Sequence, residues 1–286
     1  MKKLNKILLT LSLVLCLGGG LLIGIGAFAG GIDEAQEIAG ARMQHYDQEK
    51  TQLDEFSALD VDLAICDMEI RPSNDEHAYL EYHVYAPADH NPIHATITDD
   101  TLQLSDEDFS LENNLGNTNI QQILTGFLWI LPDDEREPSG ESSVILYLPA
   151  QTLTRCALDL DIGSLTADSL SANSFDCALA VGSLNLANCT LADSNIDLDI
   201  GEFEGTALTF GGENSISLST GSMSLYLANA EALQIDADAA LGDITTSERY
   251  LGSTREDTVE AHFSQAPAVS DGSLDLNADL GSITLA

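Results

Sequence analysis

Carboxylates dominate the residues that could do chemistry. Aspartates recur two residues apart at Asp159 and Asp161 and again at Asp197 and Asp199, with Asp238 and Asp279 in matching contexts. Two carboxylates about 5–10 Å apart are the machinery of glycoside hydrolysis. Stacked carboxylates are also the ligands a hard cation such as Ca²⁺ prefers. The intervening repeats argue against a cage, because the equivalent positions carry Ala178 and Ala180, then Ser217 and Ser219. Acids then fall on alternate repeats, about 10 Å apart, a spacing that relieves repulsion. The glycine-rich nonapeptide that loads Ca²⁺ in other repeat proteins is absent. These acids read as outward groups that confer solubility and oppose edge-to-edge aggregation.

The remaining reactive side chains form no recognisable constellation. The histidines are His45, His77, His83, His90, His94 and His262; His90 and His94 are four apart, but Pro92 between them argues against one helical face. No C-x-x-C occurs among Cys16, Cys66, Cys156, Cys177 and Cys189. Cys177 reads as a small core residue, and disulfides between Cys177 and Cys189 or between Cys66 and Cys156 stay open in an oxidising exterior. The Gly-Ser pairs at 163–164, 182–183 and 221–222 are not a nucleophile elbow, and no phosphate loop or dinucleotide fingerprint is present. The sequence therefore assigns no catalytic residue, no cofactor site and no metal ligand.

The elements that carry these residues follow from a recurring phrase. LDLDIGSL (158–165), CALAVGSL (177–184), IDLDIGEF (196–203), ISLSTGSM (216–223), ADAALGDI (237–244) and LNADLGSI (276–283) place glycines at 163, 182, 201, 221, 242 and 281. Spacings of 19, 19, 20 and 21 residues, then 39, suggest two periods in the last interval, one of them a coil without glycine carrying a polar insert at 247–258. Counted from the glycine, positions −5, −3, −1 and +2 are apolar in nearly every copy, which predicts a strand with all four facing inward and a bend at the glycine. A second apolar group (Leu170, Phe175, Cys189, Leu208, Leu227, Leu233) suggests two short strands per coil of about 20 residues. One such coil cannot bury its own apolar face; stacked coils can. The expected fold class is all-β: a parallel β-solenoid over residues 54–286. VDLAICDMEI (61–70) reads as a first, divergent coil with Cys66 in the glycine position, and the strand-like runs at 78–86, 94–99, 101–105 and 142–149 as local pairings. The segment 117–132, containing the single Trp129, has helical spacing and reads as a helix or loop packed on the solenoid.

Charge separates the N-terminus from the body. Residues 1–29 carry three lysines and no acid, whereas 30–286 carry seven basic residues against 47 acidic ones, a net −40. This excludes a nucleic-acid partner, which needs clustered Lys/Arg. No charge interrupts 7–32, and about 20 apolar residues cross a bilayer. Residues 1–6 then form a cytoplasmic stub, 7–30 a transmembrane helix with Cys16 as an apolar member, and 31–53 a helical stalk; the positive-inside rule places the body outside the cell. A cleaved signal peptide ending near Ala27-Phe28-Ala29 is the alternative.

The membrane helix, the strand group FSALDVDLAICDMEI, the strand ending ILYLPA and the copies of LDLDIGSLTADSL resemble the putative adhesin domain family, a domain of unknown function in bacterial surface proteins. The resemblance covers about 54–286 and implies a right-handed, single-stranded β-solenoid outside the cell. It carries over no functional residue. The expected protein is a membrane-anchored, extracellular, non-enzymatic solenoid for adhesion, scaffolding or envelope sensing, with the lipid bilayer as one partner and a protein or glycan ligand on the solenoid face. A polysaccharide-active β-helix enzyme and a regulatory partner of another membrane protein are the alternatives.

Overall fold

Apolar and polar residues alternating on either side of a glycine produce a strand bent near its middle. The computed structural model describes residues 44–86, 91–106, 142–256 and 260–286; apart from Gln44 and Ala86 these belong to one unit, His45–Tyr85, His90–Thr118 and Glu137–Ala286. In it, β8 (Arg155–Asp168) and β10 (Phe175–Ala187) stack in parallel, with Leu158 opposite Cys177, Leu160 opposite Leu179 and Leu165 opposite Leu184. The next layer is the first half of β12 (Ser194–Leu227), with Ile196 opposite Cys177 and Phe203 opposite Leu184. These inward residues are buried, Phe175, Leu165, Leu184 and Ile196 completely. The chain is a parallel β-solenoid in this region.

Each coil has three straight stretches where the sequence suggested two. The glycine marks a bend inside one long strand. A second corner falls six residues later, at Ser169, Asn188 and Ala207, whose φ values are 61°, 54° and 55°. The third stretch is short: β9 (Ser171–Ala172) and β11 (Thr190–Ala192) align with 209–211 of β12. Leu170, Cys189 and Leu208 just after the second corner are buried as anticipated.

The coils do not stack in sequence order. After the second half of β12, the chain skips a layer to form β13 (Leu233–Leu241) and β14 (Ile244–Thr246). It then turns back as β15 (Ser253–Glu256) and β16 (Ala261–Gln265), an antiparallel pair with β16 against β13. The chain finally threads β17 (Gly272–Leu285) between β12 and β13, parallel to both. The region 247–258 therefore contributes to a closing hairpin, not to a coil that has lost its glycine. The phrases at 237–244 and 276–283 bear the same pattern, so pattern alone does not rank them.

A similar exchange occurs at the other end. β2 (Ala58–Ile65) and β3 (Asp67–Pro72) form the divergent coil, stacked on β8. On their far side lie β6 (Thr101–Ser105) and β7 (Ser143–Leu148), both parallel to them. β5 (His94–Thr98) is antiparallel to β6, β4 (Tyr79–Ala86) to β7, and β1 (Gln44–Gln52) pairs with β4. Residues 44–52 are thus a strand where the sequence suggested a helical stalk. Lys50 lies over the rings of Tyr147 (3.6 Å) and Tyr79 (4.7 Å), a tertiary contact that overrides the helix preference of a polar segment. The expected helices at 7–30 and 117–132, and the stalk before residue 44, lie outside the described residues. Among the described residues, no helix is long and apolar enough to cross a membrane.

Candidate functional site

The glycine column determines what the solenoid shows to solvent. A Cβ on Gly182 would sit 1.7 Å from the carbonyl oxygen of Gly163, and one on Gly221 1.7 Å from that of Gly201. Only bare backbone fits where consecutive bends press together. Gly281 then lies on Gly221 and Gly242 on Gly281, the same order the strands follow.

At this bend the inward–outward alternation breaks. Positions −5, −3 and +2 are buried as expected, but position −1 turns outward. Ile65 is 37% exposed, Ile162 42%, Val181 43%, Ile200 54%, Leu280 50% and Leu241 54%. Register stacks them: Ile65, Ile162, Val181 and Ile200 are successive partners, and Thr220, Leu280 and Leu241 continue the column. At about 4.8 Å per strand, seven rungs make an aliphatic line roughly 30 Å long. The expectation that −1 faces the core is therefore wrong. Thr220, a polar residue in an otherwise aliphatic column, was the one sequence signal of it. Acids border the line in part, with Asp161, Asp199 and Asp279 one residue before Ile162, Ile200 and Leu280, and Glu202 and Asp243 two residues after Ile200 and Leu241.

The acids of the broad face hold two surprises. Because the divergent coil stacks directly on the first regular one, Asp62 stands opposite Asp159, and the carboxylates are neighbours instead of alternating. Partial burial, and after it the charge of Asp62, raises both Asp159 and Asp161 above the ordinary carboxylate value. A shallow depression of about 300 Å³ lies here, lined by Asp60, Asp62, Asp159, Asp176 and Asp197 together with Arg155; Arg155 stands 3.5 Å from Asp176. The wall attracts cations and repels polyanions. The second surprise is His262, whose Nδ1 lies 3.0 Å from Asp238 and 3.6 Å from Asp236. Asp197, Asp199 and Asp279 are exposed.

The sulfur groups are held inside. Cys66, Cys156, Cys177 and Cys189 are free and buried, so neither candidate disulfide forms. They occupy different columns: Cys66 sits beneath Gly163 in the glycine stack, Cys156 lies between Leu59 and Phe175, Cys177 between Leu158 and Ile196, and Cys189 past the second corner. Burial pushes the Cys177 thiol up to about 12 and the Cys189 thiol up to about 11, and Cys66 and Cys156 are raised as well. Of the histidines, His83 is raised by its contact with Asp47 (3.0 Å) and, more weakly, by Glu81 (3.6 Å). His77 and His94 are exposed, and His90 lies outside the described residues.

A bent-strand solenoid with a column of glycines matches one known sequence family, Toastrack DUF4097, over residues 102–286. The chain belongs to that family. Solved structures similar to this Toastrack chain include a putative cell adhesion protein from Clostridium sporogenes ATCC 15579, 14% identical, over 85% of this chain and 99% of the other, with a TM-score of 0.42. A putative adhesin from Bacteroides fragilis NCTC 9343 is 11% identical over 85% and 97% of the two chains, with a TM-score of 0.31. A putative lipid binding protein from Parabacteroides distasonis ATCC 8503 is 11% identical over 86% and 97%, with a TM-score of 0.26. No curated protein gives a significant match.

Proposed function

We propose that this Toastrack protein is a non-enzymatic binding solenoid, anchored by 7–30 with its N-terminus in the cytoplasm and its body outside the cell, where it serves adhesion, scaffolding or envelope sensing. The observation that carries the reading is the aliphatic line Ile65–Ile162–Val181–Ile200–Thr220–Leu280–Leu241. Single exposed apolar residues need no explanation, but a contiguous apolar patch rimmed by polar groups marks an interaction site. Its acidic border and the net −40 of residues 30–286 select a protein partner that sets Lys or Arg around an apolar ridge. Another copy of the body would bring like charge to like charge. The uncharged run and the three lysines before it support the anchor and its orientation.

Two measurements test this. Protease added to intact cells should digest the body and spare an N-terminal tag; an intact body overturns the orientation. An amphipathic Leu/Lys peptide should bind the full chain. Binding should weaken at least tenfold in an Ile162→Ser, Ile200→Ser variant, whose charge is unchanged and whose melting should stay near that of the parent. Equal binding by parent and variant means that acids alone hold the peptide, and overturns the role of the line.

A further inference from the structure

We propose that Asp236, Asp238 and His262 form a binding site for a divalent transition-metal ion, with Zn²⁺ as the natural occupant. Strand geometry brings the three side chains together. Residues two apart on a strand share a face, so Asp236 and Asp238 of β13 point the same way. Directly opposed residues of an antiparallel pair also share a face, and Asp238 is paired with His262 of β16. The hairpin closing the solenoid thereby delivers an imidazole onto two carboxylates. One ligand atom from each of the three lies within 4.8 Å of the others, with His262 Nδ1 at 3.0 Å from Asp238 Oδ1 and 3.6 Å from Asp236 Oδ1.

The donor set selects the metal. Imidazole nitrogen favours Zn²⁺ and its neighbours over Ca²⁺ and Mg²⁺, which want oxygen alone. Three protein ligands on a partly exposed face leave a fourth position for water or for a group from a partner. Asp275 of β17 stands beside Asp236 in register and adds to the local negative potential. Arg255 of β15 is opposite His262, on the side away from the aspartates. The other described histidine between carboxylates does not converge in this way: His83 meets Asp47 through Nδ1 and Glu81 through Nε2, so one ion cannot collect all three. The acid pairs Asp159/Asp161 and Asp197/Asp199 have no imidazole beside them in the register.

The site is tested by titrating the full chain in mild detergent, first stripped with EDTA, with ZnCl₂ and separately with CaCl₂, using calorimetry and thermal melting. One Zn²⁺ per chain should bind more tightly than Ca²⁺ and raise the melting temperature. His262→Ala should weaken that event at least tenfold, since loss of even an outer-shell partner costs about 10–100-fold. Asp238→Asn should do the same, and Asp197→Asn should not. The variants' melting without metal shows whether the fold is retained. Undiminished Zn²⁺ binding in His262→Ala, or a Ca²⁺ response equal to that of Zn²⁺, overturns the proposal and leaves an ordinary ion pair that caps the acidic columns.

Discussion

Replacing Asp106 with Asn should remove a pH-dependent penalty from the fold. Asp106 follows β6, is only 6% exposed, and its two carboxylate oxygens accept the Ala64 N–H at 3.0 and 3.2 Å. Burial raises its pKa from 3.8 to about 7; the Ala64 N–H opposes the shift and the charge of Asp62 adds to it. Cys66, raised as well, also feels this carboxylate. The folded state therefore holds its proton more tightly than the unfolded state does. The resulting stability is complete below the unfolded value and is lost as pH rises through about 7. Between pH 5 and pH 8 about two units of that window are crossed, and at about 1.36 kcal/mol per unit the loss is roughly 2–3 kcal/mol. For a chain of this size that is on the order of 5–10 °C in melting temperature. Asn has the shape of the protonated acid, keeps an acceptor for Ala64 N–H and does not titrate. Urea unfolding followed by circular dichroism should already favour Asp106→Asn by about 1–2 kcal/mol at pH 5, which lies roughly one unit above the unfolded value of 3.8. Between pH 5 and pH 8 that advantage should grow by a further roughly 2–3 kcal/mol. The many surface acids titrate in both proteins and cancel in the difference. If the two proteins lose stability in parallel between these pH values, Asp106 is not buried as an acid and the reasoning fails.

Four further outcomes follow from the register. Ala239→Asp, at a position 1% exposed, should cost more than about 3 kcal/mol or prevent folding, whereas Leu241→Asp, two residues on in the exposed line, should cost less than about 1 kcal/mol in urea melts; equal costs would contradict the outward turn at −1. Gly182→Ala places a Cβ 1.7 Å from the Gly163 carbonyl oxygen and should destabilise by about 3 kcal/mol or more, read by the shift of the denaturation midpoint. Ala207→Asn, which copies Asn188 at the equivalent left-handed corner, should gain about 1 kcal/mol and raise the melting temperature by a few degrees. Cys66, Cys156, Cys177 and Cys189, buried with raised pKa values, should resist alkylation in the native state, as peptide mass spectrometry would show, and react promptly in urea.

Much of the solenoid could be read from the sequence, because a repeated phrase with a glycine at one position leaves few alternatives. The stacking of Cys177 between Leu158 and Ile196, the inclusion of 61–70 as a divergent coil and the burial of Ala239 all follow from alignment of the copies. Four features did not follow, each for its own reason. The order of the last coils was hidden because 237–244 and 276–283 are interchangeable in pattern, and only the strand that β16 blocks distinguishes them. The outward turn at Ile162 and Ile200 was hidden because alternation on paper continues through a bend that interrupts it in space. The Asp236–Asp238–His262 cluster joins residues 24 apart across an antiparallel pair, in a region that reads as a parallel repeat. The strand β1 was missed because QHYDQEK carries no apolar alternation and is held by the Tyr147 and Tyr79 rings.

The threading of β17 between β12 and β13 bears on how such a protein can change length over evolution. A copied coil next to β17 finds no free edge, because β17 is already hydrogen-bonded to the second half of β12 on one side and to β13 on the other. The divergent coil at the other end is likewise enclosed, between β6 and β8. A copied coil finds a free partner on each side only when it is inserted within 155–225, where coils follow one another in order. Length differences among Toastrack relatives should then cluster there, in steps of about one coil, while the out-of-order ends stay constant in size.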